Sequence, residues 1–311
     1  MLNNTKPVFT VFGATGEQGG SVINALLRDG TYTIRATTRN LQSLGALALI
    51  KKGIEVVQCD LSDKASVLAA VRGSDVVFGV TSFWDVDGGI GEEEVKEGKN
   101  LVDACKEEGV GFFVWSSLPN ATEISGGKYT HVTHFDNKHL IHSYIHSLAL
   151  PSISIAAGWY VEDLLKFKVL QRNPQNPSHY SVVIPRYSPA STADAVWIGR
   201  DFGPSVVAIA KNGRGRKDLW WTLQPVLTEK VTYVEIAGRV GRALGVECGF
   251  IAPETSGSQE FDKMYAYQSE FGYFGRPEPE MPNPVIKELG YTPPGSMDEY
   301  FEKDLKAALG L

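Results

Sequence analysis

Short apolar runs and longer mixed runs alternate along the first half of the chain. β-branched and aromatic residues dominate the short runs, which lie at 7–13, 32–38, 54–60, 75–81, 111–117 and 152–158. Between them, apolar residues recur every three or four positions at 19–30, 41–53, 64–73, 92–109 and 134–148. The short runs predict strands and the longer spacing predicts helices. Strands alternating with helices predict a doubly wound α/β fold, in which the sheet is parallel and covered on both faces.

The pattern loosens after residue 155, where prolines interrupt the apolar runs. Helical spacing returns at 201–211, 230–245, 258–271 and 296–308, and strand-like runs occur at 219–223 and 247–251. We expect a Rossmann domain over residues 1–155 and a smaller α+β lobe over residues 156–311, with segments that cross between them. A lobe at the carboxyl edge of a sheet usually forms one wall of a ligand cleft.

Composition narrows the class of protein. Hydrophobic residues make up 43% of the chain and charged residues 21%, which is ordinary for a globular protein. The formal net charge of −6 argues against direct nucleic-acid binding, because phosphate contacts need a basic surface. We find no signal-peptide pattern and no run of about 18 apolar residues that would cross a membrane. Three widely spaced cysteines indicate a reducing compartment, so we expect a cytoplasmic protein, with the nucleus also open.

A glycine-rich loop joins the first predicted strand to the first predicted helix. Gly13 and Gly16 allow a tight turn and close approach of a pyrophosphate to the backbone, and Gly19 lets the helix pack near the strand. Free N–H groups at the helix N-terminus attract phosphate. The alternative is a plain glycine-rich turn. The dinucleotide site predicted at this loop comprises Gly13, Thr15, Gly16, Gln18, Gly19 and Gly20.

The end of the second predicted strand bears on the choice between NAD and NADP. An NAD site usually has an Asp or Glu there for the ribose 2′-hydroxyl. This segment reads RATTRN and contains no acid. Arg39 can pair with a 2′-phosphate, and Asn40 can add a hydrogen bond. We therefore predict NADP(H) as the cofactor; the alternative is that Arg39 is a surface arginine.

The next two strand ends add candidate cofactor contacts. Asp60 could accept a hydrogen bond from the adenine amine while Leu61 packs on the ring, or Asp60 could cap the following helix. Thr81 and Phe83 follow the fourth strand. Because ligands bind at the carboxyl ends of strands in open α/β sheets, we place both beside the cofactor.

These residues resemble those of the NmrA-like family, a branch of the atypical short-chain dehydrogenase/reductase superfamily. The matching stretches are VFGATGEQGGSV (11–22), ATTRN (36–40), VVQCDLSD (56–63), HFDNKHLI (134–141) and GWYVEDLL (158–165). The family contains NADPH sensors and fungal regulators of nitrogen metabolism, and it is related to isoflavone-reductase-like enzymes. The resemblance implies an extended Rossmann fold that binds NADP(H), with Lys138 at the nicotinamide ribose.

The resemblance leaves catalysis open. Dehydrogenases of the superfamily have a tyrosine proton donor four residues before the lysine, where this chain has His134. His134 could donate a proton to a carbonyl oxygen, or it could border the nicotinamide without a chemical role. Ser116 and Tyr160 are assigned to the same pocket. A strand-to-loop turn would explain Ser116 equally well, and Tyr160 could belong to the core.

Two functions follow from these assignments. In the first, the protein is a cofactor-responsive regulator, in which NADP(H) changes the binding of a protein partner or a homodimer. In the alternative, it is an NADPH-dependent reductase of a flat, enone- or carbonyl-containing small molecule. The aromatic residues at 264–275 could form the floor of a pocket for such a molecule, although their helical spacing is more typical of packing.

Five of the six histidines lie between residues 131 and 146, and His139, His142 and His146 have helical spacing. Zinc could bind such a face, but no cysteine or carboxylate set accompanies it. We predict no metal site and a histidine face turned to solvent or to a partner. Asp201 is predicted to cap the helix that follows it.

Overall fold

The computed structural model of the protein describes residues 6–83 and 91–311. The strands are β1 (Val8–Val11), β2 (Thr33–Thr38), β3 (Glu55–Gln58), β4 (Val76–Gly79), β5 (Phe112–Ser116), β6 (Ser152–Ala157), β7 (Trp159–Tyr160), β8 (Leu170–Arg172), β9 (His179–Val183), β10 (Thr192–Val196), β11 (Leu223–Val226), β12 (Glu229–Thr232) and β13 (Glu247–Ile251).

Helices cover the sheets and connect their strands. They are α1 (Glu17–Asp29), α2 (Leu44–Lys51), α3 (Lys64–Val71), α4 (Glu92–Glu107), α5 (Ala121–Ile124), α6 (Thr133–Ser147), α7 (Asp163–Lys166), α8 (Gly203–Ala208), α9 (Tyr233–Leu244), α10 (Gln259–Phe271), α11 (Pro284–Glu288) and α12 (Lys306–Leu309). Three π-helical segments lie at Ile198–Phe202, Ile209–Gly213 and Tyr300–Leu305. In the described residues, no helix is both long enough and apolar enough to cross a membrane.

The central sheet has seven strands in the order β11-β6-β5-β4-β1-β2-β3, and every pairing in it is parallel. Alternate residues of one strand enter the cores on its two faces: Phe112 lies in one cluster and Phe113 in the other. The strand order reverses beside β1, and this switch point opens a crevice at the carboxyl edge. The predicted fold class, a parallel Rossmann sheet with a smaller α+β lobe, is confirmed.

The smaller lobe contains two three-stranded sheets, β12-β10-β7 and β13-β9-β8, each with one parallel and one antiparallel pairing. The sequence boundary at residue 155 falls inside β6, and β11 joins the central sheet although it lies within 156–311. Helix α8 packs against α1 as well. The second half of the chain therefore supplies parts of both lobes.

Two local predictions in this half were wrong. The strand-like run at 219–223 contains only the end of a 3₁₀ turn and the first residue of β11. Asp201 does not cap a helix: its buried carboxylate accepts hydrogen bonds from Arg200, Tyr291 and Thr228. Because Asp201 lies within a π-helical segment, its side chain points into the core and not along a helix end.

Candidate functional site

A cavity of about 600 Å³ lies where the carboxyl ends of the central strands meet the smaller lobe. The predicted cofactor and catalytic residues that line it are Gly13, Thr15, Gly16, Gln18, Gly19, Arg39, Asn40, Asp60, Leu61, Thr81, Phe83, Ser116, His134, Lys138 and Tyr160. Gly20 is the exception among the predicted residues and does not line the cavity. Ser43, Glu97, Asp163 and Gln268 line it as well and were not predicted.

The glycine loop fits a pyrophosphate. Gly13 has a φ of 63°, a left-handed conformation that strains other residues, and a Cβ there would come within 2.7 Å of Val80. A Cβ on Gly19 would come within 2.8 Å of the Ala14 Cα, so the loop lies directly on the helix. Gly16 is the N-cap of α1 and no side chain caps that helix, so its first N–H groups can donate to phosphate.

The loop is joined to the smaller lobe by two side-chain contacts. Gln18 donates a hydrogen bond to the Tyr160 hydroxyl. Lys166 Nζ lies 2.8 Å from Glu17 Oε2. The residues that would contact the phosphates therefore also position one wall of the cavity.

Polar groups cluster where the second and third strands end. Ser43 caps α2, and its neighbours Arg39 and Asn40 line the same part of the cavity. Asp60 accepts hydrogen bonds from the hydroxyl and backbone N–H of Ser62, and these hydrogen bonds, together with the nearby Arg39 charge, lower its pKa. Asp60 is not the cap of α3, because Asp63 has that role.

A second carboxyl group lies in this region. Burial and the charge of Asp60 raise the pKa of Glu97, which lines the cavity from α4. Arg39 is the cation that acts on both carboxyls. This part of the cavity therefore combines one arginine with two acids whose pKa values are shifted in opposite directions.

Lys138 is held by a buried network. Its Nζ lies 2.6 Å from Glu94 Oε1, 2.9 Å from the Thr81 carbonyl oxygen and 3.0 Å from Thr81 Oγ1. Its own carbonyl accepts hydrogen bonds from Trp115 Nε1 and Ser117 Oγ, both at 3.1 Å. The ammonium and the backbone of Lys138 are thus both fixed at the cavity wall.

Glu94 is the partner that the sequence did not reveal. Its side chain is fully buried, whereas that of Lys138 is 12% exposed. Burial alone would raise the pKa of Glu94, but the Lys138 charge and hydrogen bonds from Lys138, Thr81 and Asn137 hold it below its usual range. Glu94 is therefore a carboxylate that neutralises the lysine inside the protein.

His134 contacts an acid from the smaller lobe. Its Nδ1 lies 2.5 Å from Glu260 Oε1, and its backbone N–H donates to the same oxygen at 3.1 Å. Burial opposes ionisation of Glu260, but the hydrogen bonds and charge of His134 hold the pKa of Glu260 low. Since Glu260 lies on α10, this pair joins the helix of Lys138 to the smaller lobe.

The wall opposite the sheet is aromatic. Phe261 stacks on Tyr265 with ring centroids 6.3 Å apart, and Phe167 meets the edge of Phe261 at 6.0 Å. The aromatic residues at 264–275 were expected to pack in the core more than to line a pocket. The structure shows both roles, since Met264, Tyr265 and Tyr273 pack in the core of the smaller lobe and also line the cavity.

The histidine face is not simply exposed, contrary to the prediction. His142 Nδ1 lies 2.7 Å from Ser154 Oγ, and burial, together with the charges of His139 and His146, lowers the pKa of His142 to about 4. Burial lowers the pKa of His139 as well. Ser154 of β6 and the ring of Trp221, which stacks on His146 with ring centroids 5.0 Å apart, cover part of this face. The described residues contain no group of three side chains that could hold a metal.

Comparisons with known proteins agree with this geometry. The model of the NmrA-like family matches residues 5–301. An NmrA-like family domain-containing oxidoreductase of Aspergillus hancockii is 35% identical over 164 residues, which cover 52% of this chain and 49% of that protein. A second, from Aspergillus flavus, is 30% identical over 220 residues, 67% of this chain and 65% of the relative. The matches thus span about half to two thirds of these relatives.

Solved structures share the fold. NmrA, a negative transcriptional regulator in complex with NADP, superposes with a TM-score of 0.78 at 21% identity over 99% of both chains. An NADPH-dependent quinone oxidoreductase from Escherichia coli, complexed with NADPH, gives 0.70 at 16% identity over 96% of this chain and 99% of that one. Because the family model spans nearly the whole sequence and the fold agrees with it, this protein belongs to the NmrA-like family.

Proposed function

We propose that this protein is an NADP(H)-dependent reductase of flat, carbonyl-containing small molecules. The observation that carries the proposal is the continuity of the cavity, which runs from the glycine loop past Lys138 and His134 to an aromatic wall in the smaller lobe. An aromatic wall beside a few polar groups is typical of a pocket for an apolar small molecule. The oxidoreductase names of the fungal relatives support the same conclusion.

The residues that line the cavity support NADP(H) as the cofactor. The pyrophosphate would lie on Gly13, Gly16 and the first turn of α1, and the 2′-phosphate would lie against Arg39 and Ser43 at the start of α2. Both helix starts carry the partial positive charge that favours phosphate. NADPH, when bound, supplies the hydride for the reduction.

Lys138 and His134 have separate roles in this proposal. To donate to the nicotinamide ribose, Lys138 gives up one of its two hydrogen bonds to Thr81 and keeps its bond to Glu94. His134 donates a proton to the substrate oxygen. The Glu260 carboxylate orients the imidazole through Nδ1 and stabilises its positive charge.

Regulation by NADP(H) is the second candidate, and one observation favours it. All three N–H groups of Lys138 are already paired with Thr81 and Glu94 inside the protein. Cofactor binding would then rearrange this network, which is the kind of change that a partner protein could detect.

Oxidation of NADPH in the presence of quinones, enones and aromatic aldehydes separates the two functions. The reductase predicts turnover with at least one class. It also predicts loss of that turnover in the double variant Glu94→Leu/Lys138→Met, whose apolar pair keeps the buried space filled. Tight NADPH binding without oxidation by any compound would reject the reductase and leave the regulator.

A further inference from the structure

Three of the described residues that line the cavity carry buried polar atoms without a hydrogen-bond partner. Among the described residues, the buried side-chain atoms without a hydrogen-bond partner include Gln18 Oε1, Trp159 Nε1 and Asp163 Oδ1, and all three residues line the cavity. A buried polar atom without a hydrogen-bond partner destabilises the folded protein, so such atoms are rare. Three of them around one cavity indicate that a ligand supplies the missing partners.

Asp163 is the acid among the three. It begins α7, directly after the strand that carries Trp159 and Tyr160. Burial raises the pKa of its carboxyl well above the usual value, and the charge of Glu17 acts in the same direction. The nearby cation, Lys166, is already paired with Glu17 at 2.8 Å. Burial therefore favours the protonated form of Asp163, which has an O–H group to donate.

Aromatic rings line the same cavity as this carboxyl. Such rings pack favourably against a flat aromatic ligand. They belong to Trp159, Phe167, Phe261, Tyr265 and Tyr273.

We propose that Asp163 is a substrate-recognition residue whose buried carboxyl donates a hydrogen bond to the carbonyl oxygen of a flat aromatic ligand. The Trp159 indole N–H is a second donor available to the same ligand. This inference rests on the reductase proposed above and names the substrate feature that the site selects. An uncharged aromatic carbonyl compound binds, and the matching hydrocarbon binds more weakly because it leaves the carboxyl unsatisfied.

The test measures equilibrium binding of 1,4-naphthoquinone to the protein saturated with NADP+, a mixture that cannot turn over. Leu and Asn both keep the branching of Asp at Cγ, and of the two only Asn has a hydrogen-bond donor. The proposal predicts that Asp163→Leu weakens quinone binding by about tenfold, the equivalent of about 1.4 kcal/mol. The affinity of Asp163→Asn for the quinone should stay within about threefold of the wild-type affinity, since an amide N–H replaces the O–H.

Two controls separate recognition from folding. NADP+ affinity should be the same in wild type, Asp163→Leu and Asp163→Asn. Asp304→Leu, at an exposed aspartate of the smaller lobe, should leave quinone affinity unchanged. Asp163→Leu should also raise the thermal midpoint of the free protein, because it replaces a buried acid with an apolar group.

Two results would overturn the inference. In the first, wild type oxidises NADPH with quinones but Asp163→Leu binds naphthoquinone as tightly as wild type; this rejects the role of Asp163 and leaves the reductase intact. In the second, 1-naphthylmethylamine binds in place of the quinone and Asp163→Asn loses it, which would make Asp163 a carboxylate that receives a cation. Absence of both quinone binding and turnover would reject the reductase as well.

Discussion

Individual residues decide how the site must be tested. Lys138 was predicted from the sequence as a cofactor ligand, but its buried partner Glu94 was not. Four glutamates occur between residues 92 and 97, and nothing in their spacing shows which one turns inward. Removing Lys138 alone would leave the Glu94 carboxylate buried without a counter-charge, so a loss of activity could reflect a loss of folding.

We expect Glu94→Leu and Lys138→Met each to lower the free energy of unfolding by about 3–5 kcal/mol, because each leaves one uncompensated buried charge. The double variant should recover most of that loss, since both charges are gone and apolar groups fill the space. Urea denaturation of the four proteins measures these differences. If the two single losses simply add in the double variant, the ion pair is not a coupled unit.

His142 gives the protein a pH dependence. Its pKa of about 4 lies below the ordinary value of 6.5, because it is buried beside other histidines. Above pH 6.5, His142 is neutral in both the folded protein and the unfolded chain, so it does not affect the free energy of unfolding. As the pH falls from 6.5 to 4, the unfolded chain takes up a proton that the folded protein does not, so stability decreases through this window.

Replacing His142 with Asn, which can keep a hydrogen bond to Ser154, should reduce this decrease by about 2–3 kcal/mol between pH 6.5 and pH 4. The measurement is the free energy of unfolding across that range in wild type and variant. His131→Asn, at an exposed position, should follow the wild-type curve. Identical curves for wild type and His142→Asn would contradict the low pKa.

At the scale of elements, the glycine loop and α1 act as one unit. The loop approaches the helix so closely that Gly19 admits no side chain, whereas a Cβ on the adjacent Gly20 would have its nearest neighbour, the Ala14 carbonyl oxygen, at 3.8 Å. Gly19 and Gly20 therefore allow a matched comparison. They are adjacent in one helix and in the sequence motif, but only Gly19 lacks room for a side chain.

Gly19→Ala should lower stability and greatly weaken nucleotide binding, because the added methyl group pushes the loop away from the helix. Gly20→Ala should bind nucleotide normally and be more stable by up to about 1 kcal/mol, the helix preference of Ala over Gly. Thermal unfolding and nucleotide titration of both variants test this. If the two variants have the same stability and the same nucleotide affinity, the close contact at Gly19 does not hold the loop in place.

The elements also show what sequence patterns can predict. β1 to β6 and the longer helices between them were predictable because the strands are short runs rich in β-branched and aromatic residues, while the helices have their own period and several of them end at a glycine. β7, β10 and β12 have partners far along the chain, such as Trp159 with Ala195 and Thr192 with Thr232. Likewise, Glu260 reaches His134 across 126 residues, and no local signal announces that contact.

At the scale of the whole molecule, the cavity depends on both lobes. The central sheet supplies the glycine loop and the network of Lys138, and the smaller lobe supplies the aromatic wall, Asp163 and Glu260. The contacts Gln18–Tyr160 and Glu17–Lys166 connect the two across the cavity. Nucleotide bound at the glycine loop therefore also positions the wall against which a substrate would lie.

Calorimetric titration of the apo protein with NADPH, NADP+, NADH and NAD+ tests the central claim most directly. We predict one site per chain and tighter binding of the 2′-phosphorylated pair. The substitution Arg39→Ala should weaken the binding of NADPH by at least about tenfold, since a charge-assisted hydrogen bond contributes about 1.5–3 kcal/mol. It should change the binding of NADH little. Lys52→Ala, which removes an exposed charge just beyond α2, should change neither. Equal losses for NADPH and NADH in Arg39→Ala, or no binding of any nucleotide to the wild type, would contradict the account.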